Sequence, residues 1–292
     1  MIKNGEIMST PKYKSVWISD THLGNPNCQY EKLYEFLKSL ETGDGGYHLE
    51  RIFLVGDIID MTQIDHKTLW GKHRKVIKKL FRMADKGVEV IYIPGNHDYF
   101  VRNELELNKH PEGVEFKNII IKRNAEYING KGEKVFMLHG DEFDGVIRSF
   151  PFIYAIGDYA YKMVILLNRL QNGFRRLFGI KEWSFAQWIK QKTKRAVQFM
   201  NRYEELVSEE AERRGADIVI CGHIHNAADQ IFGQNDDVRY MNCGCWVEFC
   251  SYICEYEDGT MAMINSTDIL NEQVLGLTNI PGLKRMLELS GR

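Results

Sequence analysis

Five short apolar runs along the chain each end in a polar motif. They occupy residues 16–19, 52–55, 90–94, 135–138 and 217–221 and are rich in β-branched and aromatic residues. Short continuous apolar runs are typical of parallel strands that are buried on both faces. The pattern therefore predicts an α/β protein with at least five buried strands.

Helical periodicity and turn residues predict the elements between and after these runs. Apolar residues at helical spacing indicate a helix over residues 30–41 and a second over residues 66–86, ended by Gly87. Two pairs typical of tight turns predict hairpins, at Asn129-Gly130 and Asp258-Gly259. Alternating strands and helices followed by hairpins indicate two packed mixed β-sheets flanked by helices.

The polar motifs after the five runs carry carboxylate, amide and imidazole groups. In chain order they are Asp20-Thr21-His22, Gly56-Asp57-Ile58-Ile59-Asp60, Gly95-Asn96-His97-Asp98, His139-Gly140-Asp141 and Gly222-His223-Ile224-His225. Ligands of open α/β sheets bind just beyond the carboxyl ends of the strands. We therefore expect these side chains to meet at one edge of the fold.

Seven of these side chains form a candidate ligand set for two metal ions. Oxygen and imidazole ligands without thiolate suit Mn²⁺, Fe or Zn²⁺. Seven ligands exceed the needs of one tetrahedral ion but suit two ions that share a carboxylate, the usual device for displacement at phosphorus, with the ions about 3.5–4 Å apart. The set is Asp20, His22, Asp57, Asn96, His139, His223 and His225.

Each motif alone has an ordinary structural explanation, since Gly-Asp is usually a turn and a lone histidine usually a core or surface residue. The joint pattern is different. Of the nine histidines, five lie inside the motifs, and every motif follows a strand-like run. The combination favours a metal site over five unrelated turns.

The five motifs together resemble those of the calcineurin-like metallophosphoesterase superfamily, which read D-x-H, GD-x-x-D, GNH[DE], a later His and GH-x-H. The resemblance covers residues 15 to about 256. It implies a four-layer fold with two mixed β-sheets. It also implies a hydrolase of phosphoester or pyrophosphate bonds that uses two divalent ions, Mn²⁺ foremost and Fe or Zn²⁺ as alternatives.

The resemblance further implies a role for each motif residue. The first ion would be held by Asp20, His22, Asp57 and His225, and the second by Asp57, Asn96, His139 and His223. The candidate catalytic residues are His97, which would act on the leaving oxygen, and Asp60, which would orient His97. Asp98 and Asp141 have two interpretations each, as support for the ligands or as a helix or turn cap.

A narrower resemblance lies in the segments WISDTHLG, HGDEFD and YMNCGCWVEFCSYICEYEDG. These are similar to the branch that contains the UDP-2,3-diacylglucosamine hydrolases of lipid A synthesis, which implies a nucleotide-linked lipid as substrate, with UMP and a lipid monophosphate as products. Two positions depart from that branch: His97 stands where its best-known hydrolases have Arg, and Cys245 stands where relatives often have Asp. A soluble nucleotide phosphodiesterase or nuclease is the alternative, and a non-catalytic scaffold is a third class.

Composition sets outer bounds on location and partners. The chain has 292 residues, 44% of them hydrophobic, and a net charge of −2, which gives no global attraction to nucleic acid or membrane. Its six cysteines form no C-x-x-C pair, and its first residues contain no apolar leader. We therefore expect reduced thiols and a cytoplasmic enzyme, with no run of apolar residues long enough to span a membrane.

Residues 146–202 differ from the rest of the chain. They contain eleven Lys or Arg against Asp158 and Glu182, a local charge of +9, together with eleven aromatic residues. One interpretation is a helical insertion with a solvated basic face. The other is a cap that binds an anionic, acylated phosphate substrate or attaches the enzyme peripherally to an anionic inner membrane face, with single-stranded nucleic acid the less favoured ligand.

These features predict three parts of the chain. Residues 1–145 and 203–270 would form the metallophosphoesterase catalytic domain, and residues 146–202 would form an inserted helical cap. Residues 271–292 would form a C-terminal tail, which contains no pattern that indicates a chemical function.

Overall fold

The computed structural model describes residues 2–3, 6–7, 12–42, 44–62, 66–144, 185–232 and 237–265, without side chains for residues 2, 3, 6, 7, 66 and 185–198. The chain divides into two compact units, one of residues 1–141 with 208–292 and the other of residues 142–207. Most of the predicted insertion 146–202 and the whole predicted tail 271–292 lie outside the described residues, so both stay predictions.

A seven-stranded mixed sheet lies in the first unit, with the strand order β14-β13-β3-β4-β5-β7-β6. Strands β3, β4, β5 and β7 run parallel, and the remaining three pair antiparallel. The strands are β3 Tyr13–Ile18, β4 Arg51–Val55, β5 Glu89–Ile93, β6 Val114–Phe116, β7 Ile119–Ile121, β13 Tyr252–Tyr256 and β14 Met261–Ile264.

A five-stranded mixed sheet faces it, with the order β11-β12-β10-β9-β8. Its three central strands are parallel, and β8 and β11 pair antiparallel at the edges. The strands are β8 Ala125–Ile128, β9 Lys134–Met137, β10 Ile218–Cys221, β11 Ala228–Phe232 and β12 Val238–Asn242. Two short strands, β1 Ile2–Lys3 and β2 Glu6–Ile7, form a separate antiparallel pair.

The two predicted helices are confirmed. The first is α1 (Tyr30–Ser39). The second is continuous from α2 (His66–Thr68) through a π-helical turn (Leu69–His73) into α3 (Arg74–Asp85), and Gly87 follows with a φ of 91°. The remaining helical segments are α4 (Tyr99–Glu104), 3₁₀ turns at Leu107–Lys109 and Asp141–Phe143, and the long helix Phe185–Arg213.

Strand β4 shows why the runs are apolar throughout. Ile52 and Leu54 belong to the hydrophobic core that includes residues of α1 and α3, whereas Phe53 and Val55 belong to the core between the two sheets. Successive side chains of a strand point to opposite faces, so a strand covered on both sides has no polar face. Trp17 stacks on Phe53 with ring centroids 4.9 Å apart and donates a hydrogen bond to Met137 Sδ of the other sheet at 3.0 Å.

The predicted hairpins are also confirmed, at Asn129–Glu133 between β8 and β9 and at Tyr256–Thr260 between β13 and β14. Two packed mixed sheets with flanking helices are the predicted fold class. In the second unit, the Phe143 ring meets the buried Tyr203 ring edge-on, 6.4 Å between centroids. No helix in the described ranges combines the length and apolar character that a membrane span needs.

Candidate metal centre

Five site residues have a left-handed backbone conformation, which residues other than glycine rarely adopt. Among the described residues, nine non-glycine positions have a positive φ, and five of them are Asp20, His22, Asp57, His223 and His225. Each follows the end of a parallel strand, where the left-handed conformation turns the chain sharply across the sheet edge. Such backbone costs about 1–3 kcal/mol per residue and concentrates at functional sites.

The described residues contain three groups of potential ligands: one joins His22 to Asp60 and His97, and the other two consist of predicted metal ligands. Asp20, His22 and His225 form the first of these two clusters, and Asp57, His139 and His223 form the second, with the ligand atoms of each cluster all within 4.8 Å of one another. All six residues except His225 are buried. The structure thus brings together six of the seven predicted ligands in two groups of three.

The first cluster converges on one oxygen of Asp20. His225 Nε2 lies 3.2 Å and His22 Nε2 lies 3.8 Å from Asp20 Oδ1, and the two Nε2 atoms are 3.2 Å apart. The other carboxylate oxygen, Oδ2, accepts a hydrogen bond from the backbone N–H of His223 at 3.0 Å. Oδ1 is buried and accepts no hydrogen bond from any described residue.

The second cluster centres on His139. Its Nε2 lies 3.4 Å from Asp57 Oδ2 and 3.3 Å from Asn96 Oδ1, so the seventh predicted ligand belongs here. Its Nδ1 donates a hydrogen bond to the Val55 carbonyl oxygen at 3.0 Å. Because that bond occupies the proton of Nδ1, the lone pair of a neutral His139 is at Nε2, as metal ligation requires.

Asp57 lies between the two clusters. Its Oδ2 is 3.4 Å from His139 Nε2 and 3.9 Å from His22 Nε2, so it faces one imidazole of each group. Its Oδ1 accepts a hydrogen bond from the backbone N–H of His97 at 2.8 Å. This is the position that a bridging carboxylate needs, although its role as a bridge stays a prediction.

The donor set fits divalent cations. In both Asp20 and Asp57, one oxygen is satisfied by a backbone N–H, whereas the other faces imidazole nitrogens. A buried acceptor without a hydrogen bond is costly unless a cation lies against it. The Nε2 atoms of His22 and His225 lie 3.2 Å apart, so one cation can bind to both neutral imidazoles.

The pKa values of three histidines show the same preference for positive charge. Burial lowers the pKa of His139, but the Asp57 carboxylate outweighs it and raises the pKa to about 10. Burial opposes the charged form of His225 and His22 too, yet Asp20 raises their pKa values to about 11 and about 9. In the absence of metal, these carboxylates stabilise protons where a divalent ion would otherwise lie.

The motif glycines allow the ligands to approach the backbone. A Cβ on Gly56, which has a φ of 85°, would overlap the imidazole of His139. A Cβ on Gly95 would overlap Asp57 Oδ1. Glycine is therefore required before Asp57 by the close approach of His139 from the facing sheet, and before Asn96 by the close approach of Asp57 from the neighbouring strand.

His97 and Asp60 lie beside the clusters. His97 Nδ1 and Asp60 Oδ1 are 3.0 Å apart, and His97 Nε2 is 4.0 Å from Asp57 Oδ2. The His97 side chain is 25% exposed, whereas Asp60 is buried. Burial raises the pKa of Asp60, but the contacts of its carboxylate with His22 and His97 lower it. The net effect is a pKa far below the ordinary value.

Asp98 braces the loops that carry the ligands. It accepts hydrogen bonds from the backbone N–H groups of Ile58 at 2.9 Å, Ile59 at 2.8 Å and Gly95 at 3.2 Å. These bonds tie the loop after β4 to the loop after β5, and the Asp98 side chain makes no capping hydrogen bond to α4, so the interpretation as support for the ligands describes its contacts. Burial and the nearby Asp57 raise the pKa of Asp98 to about 6.

Asp141 forms a two-bond ion pair that the sequence did not reveal. Both of its oxygens accept from the Arg102 guanidinium at 2.7 Å, and Arg102 Nε also donates to the Pro94 carbonyl at 2.8 Å. Burial opposes ionisation, but Arg102 holds the pKa of Asp141 at about 2. Arg102 thereby links the loop before Asn96 to the loop after His139.

The contact residues outside the predicted set include Asn25, Thr62 and Arg102. Asn25 and Thr62 contact Asp60, and Arg102 contacts Asp141. Asn25 and Arg102 are far in sequence from the residues that they contact, so no motif spacing identifies them. Cys245, which departs from the related branch, is buried; burial raises the pKa of its thiol, but the His225 side chain outweighs this effect and lowers it. All six cysteines are buried free thiols.

Comparison with known proteins agrees with this geometry. The profile of the calcineurin-like phosphoesterases matches residues 13–227. A UDP-2,3-diacylglucosamine hydrolase from Porphyromonas gingivalis is 25% identical over 288 residues, which cover 87% of this chain and 98% of that enzyme. The enzyme of that name from Edwardsiella ictaluri is 24% identical over 194 residues, which cover 64% of this chain and 68% of that enzyme.

Among solved structures, a hypothetical protein from Pyrococcus horikoshii aligns with 12% identity and a TM-score of 0.43, covering 92% of this chain and 94% of that one. The profile match alone covers most of the chain and includes all five motifs. Its upper bound, residue 227, lies just past the last predicted ligand. The chain therefore belongs to the calcineurin-like phosphoesterase family and is a metal-dependent phosphoester hydrolase.

Proposed function

We propose that this enzyme cleaves the pyrophosphate bond of a nucleotide-linked, acylated sugar such as UDP-2,3-diacylglucosamine, releasing UMP and a lipid monophosphate. The observation that carries the proposal is the similarity to the Porphyromonas gingivalis hydrolase of that name over 98% of its length. A match of this extent includes the segment between the fourth and fifth motifs, where substrate selection is expected.

In this proposal, two divalent ions occupy the clusters, with Mn²⁺ as the expected metal. Asp20, His22, Asp57 and His225 would hold one ion, and Asp57, Asn96, His139 and His223 the other. Such ions lower the pKa of bound water and neutralise charge on phosphoryl oxygens. The convergence of carboxylate oxygen and imidazole nitrogen atoms in both clusters supports this arrangement.

His97 would supply the proton that the leaving phosphate takes up. Asp60 and Thr62 face its Nδ1 at 3.0 and 2.9 Å, which leaves Nε2 directed away from them. Water adds to one phosphorus, the bond from that phosphorus to the bridging oxygen breaks, and the bridging oxygen leaves with the other phosphate. A proton held at Nε2 would neutralise the charge that develops on this oxygen.

Residues 146–202 would recognise the substrate in this proposal. Their local charge of +9 suits phosphates, and their aromatic and apolar residues suit acyl chains. The same composition would allow peripheral contact with an anionic inner membrane face. Nucleic acid is the less favoured partner because an uninterrupted apolar patch, residues 163–167, lies among the basic residues.

One observation favours a second candidate, a soluble nucleotide phosphodiesterase. His97 occupies the position where the best-known diacylglucosamine hydrolases have Arg, so the proposed acid is that of the wider family. A histidine acid can act in the cleavage of any phosphodiester, so its presence does not indicate a lipid substrate.

A substrate comparison separates the two candidates. Purified enzyme with Mn²⁺ would be given UDP-2,3-diacylglucosamine, the same compound without acyl chains, and a nucleotide phosphodiester, and UMP release would be followed by mass spectrometry. The proposal predicts that kcat/KM falls sharply when the acyl chains are removed. Equal turnover with and without acyl chains, or preference for the simple diester, would favour the phosphodiesterase.

A further inference from the structure

Asp60 divides its two carboxylate oxygens between two histidines. Oδ1 lies 3.0 Å from His97 Nδ1 and accepts hydrogen bonds from Thr62 Oγ1 at 2.8 Å and Thr62 N at 3.1 Å. Oδ2 lies 3.4 Å from His22 Nδ1, an electrostatic contact, and accepts from Asn25 Nδ2 at 3.2 Å. Each oxygen therefore contacts one imidazole and at least one polar neighbour.

The backbone holds Asp60 between the two histidine loops. Its N–H donates to the Leu23 carbonyl at 3.0 Å, next to His22, and the N–H of Met61 donates to the His97 carbonyl at 3.2 Å. The carboxylate is thus fixed from both sides and buried, with 1% of the residue exposed. It cannot move toward one histidine without leaving the other.

Because each oxygen of Asp60 faces the Nδ1 atom of one histidine, the Nε2 atoms of His22 and His97 are directed away from Asp60. With Nδ1 of His22 toward Asp60, Nε2 lies 3.8 Å from Asp20 Oδ1 in the first metal cluster. With Nδ1 of His97 toward the same carboxylate, Nε2 lies 4.0 Å from Asp57 Oδ2. One carboxylate therefore orients a metal-facing nitrogen and a nitrogen proposed to face the leaving group.

The geometry points to Asn25 and Thr62 as separate positioning residues, Asn25 for metal binding by His22 and Thr62 for proton delivery by His97. Each acts through one oxygen of Asp60, so the two functions can be altered independently. The inference rests on the proposed roles of His22 and His97 but not on the identity of the substrate.

The orientation of the Asn25 amide is determined by a second bond. Asn25 Oδ1 accepts a hydrogen bond from the backbone N–H of Asn27 at 2.9 Å, so Nδ2 is the atom that faces Asp60. Its donation to Oδ2 holds this oxygen toward His22. Replacement by Leu keeps the size of the side chain but removes the donor, which weakens the hold on Oδ2.

Thr62 completes a triangle with Asp60 and His97. Its hydroxyl lies 2.8 Å from Asp60 Oδ1 and 2.9 Å from His97 Nδ1, so it contacts both partners of the bond that orients the imidazole. Thr62→Val keeps the shape of the side chain and removes the hydroxyl. Thr62→Ser keeps the hydroxyl.

The test measures two properties of each variant: metal affinity of the metal-free protein by titration calorimetry, and kcat and KM with saturating Mn²⁺ on bis(p-nitrophenyl) phosphate. Asn25→Leu should weaken the first Mn²⁺ equivalent by about 10–100-fold, the usual effect of losing a partner of a metal-ligating histidine, while kcat at saturating metal changes little. Thr62→Val should lower kcat by a similar factor of about 10–100 with unchanged KM and metal affinity. Thr62→Ser should restore kcat.

Two controls distinguish this inference from general loop damage. Asn27→Ala removes an exposed side chain in the same loop as Asn25, and Thr42→Val removes a hydroxyl in the remote loop that contains Asp44; neither should change either property. Equal effects of Asn25→Leu and Thr62→Val on both properties, or no effect of either, would overturn the inference. If His97→Ala itself left kcat unchanged, the proposed role of His97 would fail instead.

Discussion

Oδ2 of Asp57 lies 3.4 Å from Nε2 of His139, at the end of β9 in the facing sheet. Strand β4, which precedes Asp57, belongs to the seven-stranded sheet, so this contact joins the two sheets at the edge that carries the motifs. Two strand ends that are 82 positions apart in sequence thereby supply ligands to one centre. The packing of the sheets creates the site.

The position of Asp57 between the two clusters predicts the effect of Asp57→Asn on metal content. An amide cannot supply the second negative oxygen, so the variant should lose both Mn²⁺ equivalents and nearly all activity. Metal content after gel filtration, measured by plasma mass spectrometry, tests this. Asp85→Asn, at an exposed position in α3, should keep the wild-type metal content.

His97→Ala should lower kcat by roughly 10²–10⁴-fold, the usual contribution of a positioned general acid, and should keep near-normal metal content. The reason is that the hydrogen bond from His97 to Asp57 comes from the backbone N–H, which alanine retains. Steady-state kinetics with parallel metal analysis are the measurements. His110→Ala, at an exposed histidine, is the matched control, and loss of one metal equivalent in His97→Ala would make His97 a ligand.

Gly95→Ala should impair the enzyme although it adds one methyl group. A Cβ at this position would overlap Asp57 Oδ1 and the backbone nitrogen of Asp57, so the carboxylate must shift. A displacement of about 1 Å in such a site costs on the order of 10²-fold in rate. Gly71→Ala, where nothing lies within 4 Å of the added Cβ, should be close to wild type, and a fully active Gly95→Ala would show that the approach is not required.

Metal binding should release protons and strengthen as the pH rises. Nearby carboxylates raise the pKa values of His22 and His139 to about 9 and about 10, so both carry protons at neutral pH in the metal-free protein. A metal ion requires the neutral imidazole, so the proton competes with it below these values. Calorimetric titrations with Mn²⁺ in buffers of different ionisation enthalpy would measure the proton release, and pH-independent affinity up to about pH 9 would contradict it.

Arg102→Met should destabilise the fold around the second cluster. The change removes both guanidinium bonds to Asp141 and the bond to the Pro94 carbonyl. Depriving the largely buried Asp141 carboxylate of its partner should cost about 1–3 kcal/mol, so the free energy of unfolding should fall by this amount. Urea denaturation gives the value, and Arg123→Met, which removes one exposed bond to Asn108, should cost much less.

Strand positions and ligand types could be predicted because they depend on local patterns. A parallel strand buried on both faces has to be apolar throughout, so each run and the polar residues after it identify a strand end. The location of Asp20 and His223 at one edge of the sheets can therefore be predicted from the sequence. Their left-handed backbone conformation cannot be predicted, because Asp and His adopt it only when tertiary contacts hold it.

The supporting contacts could not be predicted because they depend on sequence-distant geometry. The sequence allows two interpretations of Asp141, because its partner Arg102 lies 39 positions earlier and reaches both of its oxygens only in the folded protein. Asn25 and Asp60 are 35 positions apart and meet only because β3 and β4 are neighbours. A polar residue in a loop offers no periodicity that would identify such a partner.

Anomalous diffraction from crystals of the Mn²⁺-loaded enzyme tests the central claim most directly, because it locates metal ions without reference to activity. The account predicts two peaks about 3.5–4 Å apart on either side of the Asp57 carboxylate. One should lie against Asp20, His22 and His225, and the other against Asn96, His139 and His223. A single peak, or two peaks with Asp57 bound to neither or only one, would contradict the dinuclear centre.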